Sequence, residues 1–564
     1  MSTADTSRNG GTGSALLIAV AILLALAALM PTTMFWDRDE AFYARTAVEM
    51  LETGNYLVPH FNGDVFAHKP PLIYWLMAGS MAVFGENEFA ARFISAPATA
   101  ATAFLLFLIG RRMFGTAAGF WAMLLYPSSL LVAYLGATAM LDATLIGFIC
   151  LAMWAYIELV YDGTRPKTMA LVFGIAIALS MLTKGPVGPA VVIPAVAISW
   201  LLLDTTQRPA FKTMVLFALS SIGGLGLFLL WAVPANMMSG GELYEAGVGI
   251  HIVGRFLQPM EGHGGSGLLG YIATLPVYVP VILIGVSPWI MHLPAAARDV
   301  FSGSLGSRVD RIVLLSWFAP AFVIFSLAAT KLPHYVAPVF PALALTVAAF
   351  LVQTGPIGKQ VWLRIGASAY LVFTLALAVA VVGLGVIGLG GLGWGMTALI
   401  GVLIAGFAVA IFRLQWNGEI KAATRLTLAT VFPVLAVLQW VVVPQAETAL
   451  KVTKTLAEIV SATRAGHSPV HTVSYREPSL IFYLGLPHDE IIDLLPTNEE
   501  ARREILSGPD EKIIIALANQ VEAIQNLVGE GRLETVGRVS GYNTNSGGEF
   551  QSVVVLKVKA KQDR

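Results

Sequence analysis

Charge is what this chain has least of. Of its 564 residues only 12% are Asp, Glu, Lys or Arg, the two signs cancel, and 56% are hydrophobic, with a mean hydropathy of +0.73. So little charge excludes an ordinary water-soluble globule and marks an integral membrane protein. The zero balance leaves no basic surface for a nucleic acid. Cysteine is nearly absent as well: Cys150 stands alone inside an apolar run. That excludes an intrachain disulfide and leaves Cys150 as a packing residue. No internal repeat or low-complexity tract stands out beyond the glycines from Gly383 to Gly395, which suit close helix approach.

What the chain does have is long apolar runs. A helix needs about 20 apolar residues to cross the hydrocarbon core, and that ruler gives thirteen candidate spans. They fall at 15–36, 90–110, 116–135, 143–160, 168–183, 187–203, 212–233, 271–292, 310–329, 334–353, 364–389, 395–413 and 425–443. Residues 1–14 read as a disordered cytoplasmic N-terminus, and 15–443 as a transmembrane domain with outer loops at 37–89 and 234–270. The apolar stretch 70–84 follows Lys-Pro-Pro and is short, so an interfacial or re-entrant helix is expected there.

Lys and Arg accumulate in cytoplasmic loops. With the N-terminus inside, Arg111, Arg112, Arg165, Lys167, Arg208, Lys212, Arg298, Arg308, Arg311, Lys359, Arg364, Arg413, Lys421 and Arg425 all fall on one side. Arg38, Arg45, Lys69, Arg92, Lys184, Arg255 and Lys331 fall singly on the other, where they read as kept for chemistry. From 444 to 564 charge becomes frequent, with helices expected at Thr453 to Thr463 and Asn498 to Leu506 and strands at Lys512 to Leu517 and Ser552 to Val558. This reads as a small soluble α/β domain on the outer side.

The polar residues of the membrane part gather at that same outer face. Asp39, Glu40 and Tyr43 follow the first span, His68 and Lys69 lie in the first loop, and Asp142 opens the fourth span. Lys184 follows the fifth span, His251 and Arg255 occupy the loop after the seventh, and Lys331, His334 and Tyr335 open the tenth. A carboxylate beside fixed cations suits glycosyl transfer from a lipid phosphate, where one group activates the acceptor and the others stabilise the departing phosphate. Asp39 fits the first role and Lys69 the second; Asp142 suits a helix cap, a site residue or both, and Glu40 either catalysis or a scaffold hydrogen bond. Lys184 and Lys331, each following Thr, suit phosphate binding as point charges. His68 and His251 are candidate ligands for a divalent cation.

The stretch WDRDEAFYARTAVEMLETGNYLVPHFNGDVFAHKPPLIYWL, followed by FGENEFAAR and by LDA, TKGP, HIVGRF and KLPHYVAPVFPA in that order, resembles the lipid A aminoarabinose transferases and their relatives near the protein O-mannosyltransferases. These are GT-C glycosyltransferases. The resemblance covers most of the membrane part. It implies a polyprenyl-phosphate-linked sugar donor, a lipid or protein acceptor, and a monomer in the bacterial cytoplasmic membrane whose site and C-terminal domain face outward. It implies inverting hexosyl or pentosyl transfer, with Asp39 as catalytic carboxylate and Asp142 as a second acid. By the same resemblance Lys69 and Arg255 stand near the lipid phosphate, and Lys184 and Tyr335 in the outer cavity. The chain departs from the aminoarabinose pattern at Phe42, where that family carries arginine, and at His68, where it carries glutamate. A protein O-mannosyltransferase differs only in acceptor, while a lipid or solute transporter would place its polar groups at midplane.

Overall fold

The computed structural model describes residues 11–30, 33–258, 265, 267–353, 360–386, 394–496, 498–529, 531–543 and 549–561, except for the side chains of 251, 252, 255, 448, 449 and 499. Every expected span coincides with a helix: α1 (Thr12–Ala28), α4 (Glu88–Phe114), the pair α5 (Thr116–Leu125) and α6 (Leu130–Gly136), α7 (Asp142–Tyr161), α8 (Pro166–Lys184) and α9 (Val187–Leu202). The series continues through α10 (Phe211–Met238), α11 (Gly267–Gly285), α12 (Arg308–Leu327), α13 (Pro333–Gln353), α14 (Gln360–Val386), α15 (Trp394–Trp416) and α16 (Ile420–Glu447). Ten of these are long and apolar enough to cross a membrane, or eleven if α5 and α6, bent by 69°, are one span. Helices α1 and α9 are shorter, at 17 and 16 residues.

The first span ends earlier than expected. Helix α1 stops at Ala28, and Asp39 and Glu40 belong instead to a separate polar helix, α2 (Arg38–Thr53). Local chemistry sets its ends. Asp37 is in the extended region and accepts from the Asp39 backbone N–H at 2.8 Å, while Asp39 and Glu40 place negative charge at the positive end of the helix dipole. Gly54 stops it with φ +70°, its N–H reaching Met50 O, a left-handed conformation that favours glycine. After α2 comes a two-residue hairpin, β1 (His60–Phe61) and β2 (Asp64–Val65), closed by Asn62-Gly63 with both φ values positive. The apolar stretch that followed Lys-Pro-Pro is α3 (Leu72–Phe84), 13 residues long and packed against α2.

The tail holds α17 (Thr453–Thr463), β3 (Val470–Val473), α18 (Pro478–Leu484), β4 (Asp493–Leu494), α19 (Glu499–Ser507), β5 (Lys512–Leu517), α20 (Val521–Val528), β6 (Leu533–Asn543) and β7 (Glu549–Val558). The sheet order is β4-β3-β5-β7-β6, parallel from β4 to β5 and antiparallel beyond. Strand β5 is buried on both faces because side chains alternate along it. Ile513 and Ile515 join Leu456, Val460 and Leu480 in one core, while Ile514 and Ala516 join Leu506 and Ile524 in the other.

This α/β unit rests directly on the first loop. Phe35 and Phe482 meet edge to face at 4.9 Å, the Phe35 N–H donates to Tyr483 Oη at 2.9 Å, and Arg45 Nη2 donates to Leu486 O at 2.9 Å. The hairpin turn is gripped from both sides: Glu49 accepts from the Asn62 and Gly63 N–H groups, and the Asn62 amide exchanges two hydrogen bonds with the Ile492 backbone.

Candidate active site

Three elements bring acid and base together. Helix α7 begins at Asp142, helix α8 ends at Lys184, and Lys184 Nζ donates to Asp142 Oδ1 at 2.7 Å. Asp142 is not a helix cap, since the cap position is Leu141 and no side chain bonds there. It is a buried carboxylate in an ion pair. His334, on the short helical turn that opens α13, approaches Asp142 Oδ2 at 4.0 Å, and Lys184 Nζ lies 4.9 Å from the Tyr335 ring centre. His334 is also within electrostatic reach of Asp39 and Lys69.

On α2, Tyr43 Oη donates to Asp39 Oδ2 at 3.2 Å, one helical turn along, and Arg38 Nε stands 3.8 Å from Asp39 Oδ1. Burial first, then the charge of Asp39, raises the Tyr43 phenol well above its ordinary range, so it is a hydrogen-bond donor at neutral pH. Asp37 is pushed up to about 6, by burial first and next by the neighbouring Asp39 charge. Tyr43 also feels the Asp142 charge, which links the α2 acids to the α7–α8 pair.

Beside this polar group opens a cavity of about 850 Å³. Lys69, Lys184, His68 and Tyr335 lie on its wall, and the rest is largely apolar: Val187, Ala190 and Val191 of α9, Phe228, Trp231 and Met237 of α10, Phe325 and Ala328 at the end of α12, and Leu243, Val248, Val253 and Leu257. The last stretch is helical rather than an open loop, part of it wound as a π-helix over Glu245–Gly254. His251 and Arg255 belong to it, but their side chains lie outside the described residues.

Other expected site residues have scaffold roles. Glu40 is buried and accepts from Arg92 Nε and the Ala139 N–H at Oε1, and from Arg92 Nη2 and the Trp36 N–H at Oε2. Burial acts to raise its pKa, but the Arg92 charge and these bonds outweigh it and hold the carboxyl below its ordinary value. Glu40 therefore keeps its charge as a structural anchor and is not a catalytic group. Arg92 also donates to Thr33 O and Met34 O, and Arg45 pairs with Glu49 and Glu52. These two bases hold the first loop together. Lys331 Nζ donates to the carbonyls of Phe325 and Ser326 at the C-terminal end of α12 and does not line the cavity. No group of three or more His, Cys, Asp or Glu side chains among the described residues is arranged to hold a metal ion, and His68 stacks on Phe66 at 4.1 Å.

The sequence reading missed a ring cluster beside the acids. Phe42 packs against Phe61 at 4.7 Å and Phe66 at 5.1 Å, which also touch each other, and meets His68 at 5.6 Å. The two departures from the aminoarabinose pattern thus touch each other. The only signal in the sequence was the i, i+3 relation of Asp39 and Phe42 and the adjacency of His68 and Lys69.

With this geometry in hand, known proteins match the chain along most of its length. Residues 68–232 match the family model described as dolichyl-phosphate-mannose-protein mannosyltransferase. The undecaprenyl phosphate-α-4-amino-4-deoxy-L-arabinose arabinosyl transferase of Pectobacterium carotovorum is 30% identical over 425 residues, 73% of this chain and 74% of the relative. The chain belongs to this transferase family. The protein of the same name from Yersinia enterocolitica is 29% identical over 383 residues, 66% of each chain. The transferase also shares its fold with a crystal structure of ArnT from Cupriavidus metallidurans bound to undecaprenyl phosphate, at TM-score 0.72 and 18% identity, covering 97% of this chain and 98% of that one. The transferase is thus a multi-span membrane glycosyltransferase with a GT-C fold and a C-terminal sheet.

Proposed function

We propose that this chain transfers a sugar from a polyprenyl-phosphate donor to an envelope acceptor, a glycolipid or a protein, at the outer face of a bacterial cytoplasmic membrane. The observation that carries the reading is the cavity: an apolar wall long enough to take isoprenoid units, with Lys69, Lys184 and Tyr335 on it and Asp39 and Asp142 close by. The names of its relatives and the undecaprenyl phosphate in the solved ArnT structure support a lipid-phosphate donor.

In this reading the isoprenoid chain lies against α9, α10 and the 243–257 segment, and its phosphate meets Lys69 and Arg255, with Lys184 and Tyr335 beside it. Asp39 takes the proton of the acceptor as its oxygen forms a bond to the anomeric carbon. The bond from that carbon to the phosphate oxygen breaks, its electron pair staying on the phosphate, whose added charge the lysines stabilise. Attack from the side opposite the phosphate inverts the anomeric centre. Asp142 acts through its ion pair, holding the Lys184 ammonium in place at the cavity wall. Outer placement follows the Lys and Arg bias of the loops and puts the C-terminal unit on the same side.

Purified protein incubated with a radiolabelled undecaprenyl-phosphate sugar and a crude envelope acceptor fraction is expected to release undecaprenyl phosphate in step with labelled acceptor. Movement of intact donor across proteoliposomes with no release of undecaprenyl phosphate would instead support the transporter reading.

A further inference from the structure

We propose that the end of the helix bundle opposite Asp142 holds a second site, which binds the phosphoethanolamine headgroup of a membrane phospholipid. A separate cavity of about 190 Å³ opens there, where the end of α4, the end of α7 and the start of α8 meet. Helix α7 runs from Asp142 to Tyr161, so at about 1.5 Å per residue this cavity lies roughly 25 Å from the candidate active site. At about 30 Å³ per water molecule it has room for about six, enough for a headgroup and too little for a whole lipid. The inference is independent of the polyprenyl-phosphate reading.

The cavity wall carries both signs of charge. Arg111 comes from α4, Arg165 from the turn before α8, Glu158 from the last turn of α7 and Asp162 from just beyond it. The side chains of Glu158 and Asp162 are 25% and 22% exposed, and both pair with Arg112, which does not line the cavity, at 3.5 and 2.9 Å. Arg111 Nη1 donates to Thr12 Oγ1 at 2.8 Å, and its guanidinium stands 5.2 Å from the Phe107 ring centre. Neither Arg111 nor Arg165 has a carboxylate partner among the described residues. Cations without carboxylate partners, beside carboxylates with acceptor capacity left, complement a group that carries both charges. A phosphodiester accepts from the two guanidinium groups and from the Thr164 hydroxyl, which lies on the same wall. A primary ammonium joined to it by an ethylene unit supplies three donors to Glu158 and Asp162.

An apolar seam for acyl chains leads away from these charges. On α7, Leu151, Trp154 and Glu158 stand at i, i+3 and i+7 on one face, and on α4 Phe104, Leu108 and Arg111 stand at i, i+4 and i+7. All six are only partly buried. The two helices pack on each other, and Leu108 and Trp154 both line the cavity, so the two faces border one seam. Its charged residues sit at the helix ends, the depth of a headgroup, and its apolar ones nearer the bilayer interior. The acidic half of the wall sets the choice of headgroup. A trimethylated ammonium has no hydrogen to donate to Glu158 and Asp162, and a glycerol headgroup brings them neutral hydroxyls and a net negative charge.

Native mass spectrometry of the full-length protein in detergent, titrated with phosphatidylethanolamine, phosphatidylglycerol and phosphatidylcholine of identical acyl chains, tests the site. Phosphatidylethanolamine is expected to bind at least about fivefold more tightly than phosphatidylcholine, and more tightly than phosphatidylglycerol. Arg165→Gln, at an exposed position, should weaken phosphatidylethanolamine binding at least about fivefold. Glu158→Gln should remove the preference over phosphatidylcholine and leave phosphatidylcholine binding within about twofold. Lys167→Gln, which changes an exposed base outside the cavity wall, should alter neither. Millimolar glycerophosphoethanolamine should fail to displace the lipid, because it cannot fill the seam; displacement would point to a soluble phosphate ester and overturn the lipid assignment. Equal binding of the three lipids by wild-type protein, or tighter binding of phosphatidylglycerol, would overturn the site without need of any variant. So would phosphatidylethanolamine binding that survives both Arg165→Gln and Glu158→Gln, or a loss in Lys167→Gln as large as in Arg165→Gln.

Discussion

Lys184 and Asp142 meet at 2.7 Å across the ends of two apolar helices, and the carboxylate is 2% exposed. A buried pair of this kind costs desolvation on both sides, so removing one partner leaves the other charge uncompensated. Lys184→Met is expected to destabilise the protein by about 3 kcal/mol. The double variant Lys184→Met with Asp142→Asn should recover most of the lost thermal stability without recovering sugar transfer. Thermal unfolding in detergent and donor turnover, measured on the three proteins, test this directly.

Glu40 and Arg92 predict the opposite pattern from Asp39. Their ion pair at 2.9 Å, with four donors on the Glu40 oxygens, fixes α2 to the start of α4 and to the Ala139 backbone. Glu40→Gln is expected to lower stability by about 3 kcal/mol, with any activity loss tracking the unfolded fraction. A Glu40→Gln protein that is fully stable yet inactive would return this residue to the catalytic machinery.

Asp37 gives a pH dependence of unusual sign. Its carboxyl is raised from 3.8 to about 6, so the folded protein binds the proton more tightly than the unfolded chain. Its contribution to stability is greatest below pH 4 and declines as pH rises from about 4 to 6, unlike that of a salt-bridged carboxylate. Asp37→Asn keeps an acceptor for the Asp39 N–H and removes the titration. The difference in apparent Tm between this variant and wild type should grow from pH 4 to pH 6 and stay constant above.

Lys69 and Lys331 separate phosphate binding from helix capping. Lys69→Met is expected to raise the Kd for undecaprenyl phosphate at least about tenfold, the loss of one charge-assisted contact. Lys331→Met should leave that Kd within about twofold and cost stability, since Lys331 satisfies carbonyls at the end of α12. Burial holds the Lys331 ammonium below its ordinary pKa, which also suits a group enclosed against carbonyls. Titration of both variants with undecaprenyl phosphate decides between these assignments.

Asn62 joins the first loop to the C-terminal unit. Asn62→Ala removes two hydrogen bonds to Ile492 and strains a turn with φ +55°, a cost of about 2 kcal/mol. Faster proteolysis within 452–561, with little change in the membrane helices, is the expected result.

The apolar helices were legible because apolar length is a property of the sequence alone, although ten or eleven of the thirteen are long enough to cross a membrane among the described residues, and the tail because β5 reads as a continuous apolar run. The end of α1 was not read correctly: Pro31-Thr32-Thr33 interrupts the run soon after Ala28, but the apolar residues on both sides of it, through Trp36, hide so short a break in a count of apolar length. Asp39, Lys69, Lys184 and Tyr335 could be named as a group because each sits where a long apolar run begins or ends on one side. Arg92, Arg45 and Lys331 share that position and yet serve the scaffold. Their partners, Glu40, Glu49 and the Ser326 carbonyl, are fixed by tertiary packing that no spacing rule carries. The apolar wall of the cavity was equally hidden, because a helix apolar all round, such as α10, reads alike whether it faces lipid or a pocket.

The most direct test of the account is donor turnover by Asp39→Asn with undecaprenyl phosphate affinity measured on the same protein. The account predicts turnover reduced at least about a thousandfold, with Kd within threefold of wild type and Tm unchanged. Turnover within tenfold of wild type in a folded, lipid-binding Asp39→Asn protein would contradict it.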